Sequence, residues 1–137
     1  MIEKIRLDKD VNVLCVSAKS FPDGIMEAFQ KLHALIPFSS KRVYYGISRP
    51  NEKGVIGYKA AIEIMDDEEA YKFGSESFVI PKGEYISLLI PDYLKSIPAI
   101  GDAFNHLTLQ PGIDPEGYCI EWYFNENDVR CMVKLKT

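Results

Sequence analysis

The chain holds 137 residues, 47% apolar and 12% aromatic, enough for one sizeable core and too few for two, so 1–137 is read as one unit. A net charge of −4, with lysines scattered among acids, argues against an electrostatic nucleic-acid surface, which needs clustered Lys and Arg. No run approaches the roughly 18 apolar residues that span a bilayer, and the start Met1 to Arg6 lacks the apolar core of a secretory signal; the expectation is a cytoplasmic chain with neither a membrane nor a direct nucleic-acid partner.

Cys15, Cys119 and Cys131 are odd in number, widely spaced and flanked by strand formers, the pattern of buried thiols rather than of a disulfide framework. His33 and His106 fall in predicted helices with no second ligand at i±3 or i±4, so both read as helix-surface residues. Neither a metal nor any other cofactor is expected.

In chain order, Val11 to Ala18 is a β-branched apolar strand ending at the turn Phe21 to Gly24. Gly24 to Ile36 follows as an amphipathic helix, its stripe being Ile25, Ala28, Phe29, Leu32, Leu35 and Ile36, and Pro37 closes it. Arg42 to Ser48 and Val55 to Met65 form a hairpin across Arg49 to Gly54. Asp67 to Glu69 read as a solvated acidic connector, after which Ser77 to Ile80 and Glu84 to Ile90 are strands joined by Pro81 to Gly83. Ser96 is placed to cap a second helix with the stripe Ile97, Ile100, Ala103, Phe104 and Leu107, Pro98 being tolerated in its first turn. Gly117 to Phe124 and Val129 to Leu135 close the chain as a last hairpin.

The order strand, helix, strand, strand thus occurs twice, over about 1–66 and 75–137. Two such units pair naturally into an α+β fold, duplicated β-α-β-β units in one antiparallel sheet with both helices on one face and a ligand groove between the halves.

Alternation then divides each strand. A two-residue turn at Glu126-Asn127 pairs Ile120 with Val133 and Trp122 with Cys131, and sets Glu121 beside Met132. With Tyr118, Ile120, Trp122 and Phe124 turned to the helices, the uncovered face displays Glu63, Glu121, Tyr44, Tyr85, Tyr123 and Met132. Two carboxylates among aromatic and thioether groups suit a small organic cation or an amphipathic ring compound. An outward Glu on a strand is more often simply solvated, and exposed tyrosines often only support cross-strand packing. Glu121 leads because it is the sole acid between Gly117 and Phe124, where burial would perturb its pKa. Phe29, Phe104, Trp122, Tyr58 and Tyr118 are assigned to the core.

Phe78-Val-Ile-Pro-Lys-Gly-Glu-Tyr-Ile-Ser-Leu-Leu89 resembles the central signature of GyrI-like (gyrase-inhibitor-like) effector-binding domains, a strand running into Ile-Pro-x-Gly-x-Tyr and a further apolar strand. Tyr93-Leu94, the helix Ile97 to Leu107, Gly112 and Ile120-Glu-Trp-Tyr123 are similar to the rest of the pattern in order and spacing, as are Tyr44 to Ile47 and Tyr58 to Ile64 upstream. The resemblance implies a groove between the halves that holds aromatic or cationic molecules, with the Glu of the late Glu-x-Tyr strand, here Glu121, inside it. Ile90-Pro-Asp-Tyr93 departs from the Gly-Pro-Tyr turn of many members, and no helix-turn-helix precedes the first strand, so a two-domain DNA-binding regulator is not expected.

Three functions follow. The first is a binding module, a sensor or sequestering domain for a small organic ligand. The second is a hydrolase of reactive electrophilic compounds, with Glu121 as base and Tyr123 or Tyr85 as hydrogen-bond donor. The third is a module for a protein partner, as in gyrase-inhibiting relatives.

Overall fold

The computed structural model describes residues 1–39, 41–66, 69 and 76–137. Its strands are β1 (Glu3–Leu7), β2 (Val11–Ser17), β3 (Tyr44–Pro50), β4 (Ile56–Glu63), β5 (Glu76–Ile80), β6 (Gly83–Ile90), β7 (Cys119–Tyr123) and β8 (Val129–Lys134), with helices α1 (Ile25–Leu35) and α2 (Pro98–Thr108) and a 3-10 turn at Tyr93–Lys95. The strands form one antiparallel sheet in the order β1-β6-β8-β7-β3-β4-β2-β5. Exchanging each strand for the one four places on in the chain reverses that order and leaves it otherwise unchanged, which is the signature of the duplicated unit. The α+β expectation holds. β1 is an element that the sequence reading left out, and it occupies the edge beside β6, as its counterpart β5 occupies the edge beside β2.

Chain connectivity forces this sheet to curl. Five strands lie between β5 and β6, about 29 Å in a flat sheet, yet only Pro81 and Lys82 join them, a reach of about 11 Å. β1 and β2 are constrained in the same way by Asp8 to Asp10, and the two links touch where the Lys82 amide donates to Asp10 Oδ1 at 2.8 Å. The face away from the helices is therefore the inside of a curl, filled by Val13, Tyr45, Ile47, Ile80, Tyr85, Ile120 and Met132.

Both helices pack on the outer face. α1 buries Ala28, Leu32 and Ile36 against Leu14, Ala60 and Ile62, and α2 buries Ala103 and Leu107 against Ile86, Cys131 and Val133. Leu35 and Ile97, placed on the predicted stripes, are exposed instead, each at the margin of its helix. Ser96 is not the cap of α2, which starts one residue later with Ile97 at the N-cap and Pro98 in its first position. Of the acidic connector, Asp67 and Glu68 lie outside the described residues, while Glu69 is buried and ion-paired with Arg42 rather than solvated. No described helix is long and apolar enough to cross a membrane.

The last hairpin differs from expectation by one residue. Asn125 Oδ1 accepts the amides of Asn127 and Asp128, both at 2.8 Å, and this side-chain turn lengthens the connection to five residues. Ile120 consequently faces Met132 and Glu121 faces Cys131. Met132 is thereby inside the curl, 1% exposed, and Met132→Ala should lower stability by about 2–5 kcal/mol in urea unfolding with the slope of the transition unchanged.

Candidate functional site

Because α1 covers β2 and β4 while α2 covers β6 and β8, the central pair β3–β7 is left between the helices as the floor of a cleft. On that floor Gly46 of β3 lies directly opposite Glu121 of β7. Tyr58 reaches over from β4, and its hydroxyl donates to Glu121 Oε1 at 2.8 Å. Tyr123 donates to the same oxygen at 2.6 Å. Glycine is required at position 46 because a Cβ there would overlap both the Tyr58 hydroxyl and Glu121 Oε1.

Aromatic rings surround this carboxylate. Phe29 of α1 meets Tyr123 edge-on at 6.4 Å and Tyr58 at 6.4 Å, and Phe21 lies 5.9 Å from Tyr58. Tyr93 closes the other side at 5.2 Å from Tyr123. Its place is set by the Ile90-Pro-Asp turn: Asp92 adopts a left-handed backbone (φ 49°), its amide donates to Asp128 Oδ1, and the Tyr93 amide donates to Asn127 O at 3.0 Å. Asp is among the few non-glycine residues that enter this region readily.

Glu121 is 8% exposed, and burial raises its pKa above the ordinary 4.5; the Tyr123 and Tyr58 hydrogen bonds pull it back only in part. Burial, then the Glu121 charge, raises the Tyr58, Tyr123 and Tyr93 hydroxyls, which therefore stay protonated as donors. The same two causes push the Cys119 thiol up to about 11 and that of Cys131 to about 12, so neither is a thiolate nucleophile at neutral pH. No Lys, Arg or His among the described residues forms a salt bridge with Glu121. Among those residues, too, no group of three or more His, Cys, Asp or Glu side chains is placed to hold a metal ion.

Of the six residues predicted to share one face, the structure brings three together. Glu121, Tyr123 and Tyr44 share the helix-bearing face, Tyr44 lying directly across from Tyr123. That face was predicted to be the opposite one: the alternation is correct, but the set Cys119, Glu121, Tyr123 points toward the helices, and Ile120 and Trp122 point into the curl. Tyr85, Met132 and Glu63 lie on the other face. Tyr85 is fully buried there, its hydroxyl donating to Pro81 O at 2.6 Å, and Glu63 pairs with Val13 at the end of β4. Tyr44 stacks on Phe38 at 5.5 Å and meets His33 at 5.4 Å. His33 is thus part of the aromatic row rather than of the helix surface, with a buried Nδ1 that has no hydrogen-bond partner among the described residues. Tyr58, assigned to the core, is a partner of Glu121 that sequence reasoning missed. The glycine inside β3, flanked by Tyr45 and Ile47, was the available sign of a close approach across that strand.

Two outcomes test this geometry. Gly46→Ala should cost about 1–3 kcal/mol by overpacking and separate Tyr58 from Glu121. Because the folded carboxyl binds its proton more tightly than the unfolded one, Glu121 lowers stability as pH rises from about 4.5 through its folded value, and the deficit persists above it. Glu121→Gln should therefore gain stability relative to the parent chain as pH is raised from about 4 to neutrality; urea midpoints that stay parallel across that range would contradict a raised folded pKa.

The sequence matches no family model and no curated protein. Solved structures do share the fold. An integron cassette protein from Vibrio cholerae aligns with a TM-score of 0.71 at 13% identity, over 98% of this chain and 95% of that one. A protein solved bound to tetraphenylphosphonium gives 0.63 at 11% identity, over 98% and 94%. A hydrolase from Listeria innocua gives 0.57 at 11% identity, over 98% and 91%. At these identities the likeness is one of fold.

Proposed function

We propose that this chain is a small-molecule-binding domain that holds an amphipathic organic cation in the cleft between its helices, as a sensor or a sequestering protein of the GyrI-like kind. The observation that carries the reading is the Glu121 carboxylate, desolvated at the cleft floor, served by two tyrosine hydroxyls and by no cation among the described residues. A buried carboxylate without a counter-charge is costly, and a cationic ligand would remove that cost. Tyr58, Tyr123, Tyr93, Phe29 and Phe21 offer aromatic faces that attract a delocalised cation. Tyr44 extends the same wall beyond Tyr123.

Tetraphenylphosphonium, bound by one structural neighbour, is the first probe. It should raise the melting temperature of the chain, since a ligand selective for the folded state stabilises it. In calorimetry Glu121→Gln should weaken binding by about tenfold or more, while Tyr85→Phe, on the opposite face, leaves it unchanged. Equal affinity in Glu121→Gln would sink the reading.

A second reading, hydrolysis of electrophilic small molecules, draws on the raised pKa of Glu121 beside two hydroxyl donors, which suits a general base that orients water. Incubation with electrophilic compounds followed by product analysis separates the two. Product that disappears in Glu121→Gln while binding is kept would put catalysis first.

A further inference from the structure

A cavity of about 680 Å³ opens beside the β3–β4 hairpin at one end of the curl. Its floor is Ile47, and one wall is Tyr118, whose ring packs edge-on against Phe78 of β5 at 5.0 Å. Three strands meet at this mouth. Ser17 at the end of β2 and Ile47 of β3 both pair with Lys59 of β4, and Arg49 follows Ile47 on the same side of its strand. The alternation that turns Glu121 toward the helices turns Ile47, Arg49, Lys59 and Tyr118 away from them, while Ala18 and Tyr58 from the helix-bearing face complete the lining.

The mouth carries three cationic side chains, Arg49, Lys53 and Lys59, and one acid, Glu52, in its lining. Arg49 carries its guanidinium carbon 5.3 Å from the centre of the Tyr118 ring. Lys59 is only 24% exposed at the side chain, paired with Glu76 and 3.3 Å from Ser17 Oγ, so it forms part of the wall. Arg49 is held differently: its partner Glu116, at 2.9 Å, has a side chain 80% exposed on the loop before β7. Exposed pairs of that kind contribute little and exchange readily with other carboxylates. An arginine fork held by the Tyr118 side chain and ion-paired, among the described residues, with a solvent-exposed acid is poised to accept a carboxylate from outside.

We propose that this mouth is a second ligand site, specific for organic anions that join a carboxylate to a flat apolar ring. The carboxylate replaces Glu116 in the fork of Arg49, and the ring lies against Tyr118 and Pro50 above Ile47. The group that takes the anion is Arg49 and not Glu121, although Tyr58 lines this cavity as well as the cleft, and the proposal does not depend on what the cleft binds.

Calorimetry with 2-naphthoate, and with neutral 2-naphthamide as the control, tests it. The anion should bind about tenfold tighter than the amide. Arg49→Gln should abolish that difference, Arg49→Lys should keep part of it, and Glu116→Gln should tighten the anion severalfold by removing the competing carboxylate. Glu121→Gln should leave it unchanged, and amide shifts in a nitrogen-15 spectrum should centre on Gly57 and Tyr118 rather than on Gly46. Melting curves establish that each variant is folded, and Arg49→Lys serves if Arg49→Gln is not. No binding, equal binding of anion and amide, indifference to both Arg49 changes, weaker binding in Glu116→Gln, or loss in Glu121→Gln would each overturn the proposal.

Discussion

Everything in this architecture depends on two short links, Asp8 to Asp10 between β1 and β2 and Pro81-Lys82 between β5 and β6, which join strands near opposite edges of an eight-stranded order. A flat sheet cannot satisfy either. The curl that does so encloses one face and leaves the other to the helices, so the central strands are buried on both sides. β4 shows the result in its run Tyr58, Ala60, Ala61 and Ile62, buried on alternate faces with only Lys59 interrupting.

The duplicated order then decides where a site can form. Each helix covers the outer pair of strands of its own half, and the seam between β3 and β7 is left between them. Across the seam Tyr44 faces Tyr123, but Gly46 faces Glu121. The missing side chain on one strand gives room for the carboxylate of the other and for the Tyr58 hydroxyl that crosses to it. Two such hydrogen bonds let a carboxylate persist where burial opposes its charge. The mouth of the curl is assembled from the opposite sides of the same strands, which is why one sheet can present an acid on one face and an Arg and a Lys on the other.

Much of this was legible in residue order. The periodicity of Ala28, Leu32 and Ile36 marks α1, that of Ala103 and Leu107 marks α2, and turn residues delimit the hairpins within two or three residues. Glu121 and Tyr123 stood out as an acid and a phenol alternating with apolar neighbours. What misled was the richness of β7, where Ile120 and Trp122 on one side and Cys119 and Tyr123 on the other are both apolar enough to face a core. Alternation separates such sets without saying which one meets the helices. β1 carries Glu3, Lys4 and Arg6 among only two apolar positions, and its strand state comes from pairing with β6 rather than from its own composition.

The sequence by itself determined the element types, the duplicated order and the two-residue alternation that holds Glu121 and Tyr123 together, because these are local consequences of side-chain volume, branching and turn chemistry. Only the tertiary structure decided that Glu121 looks toward the helices, that Tyr58 is its partner and that Met132 and Tyr85 are not. Those outcomes rest on the closure of the curl and on a one-residue lengthening of a turn by Asn125, where contacts between distant strands, and not the preferences of neighbours in the chain, set which face is buried against what.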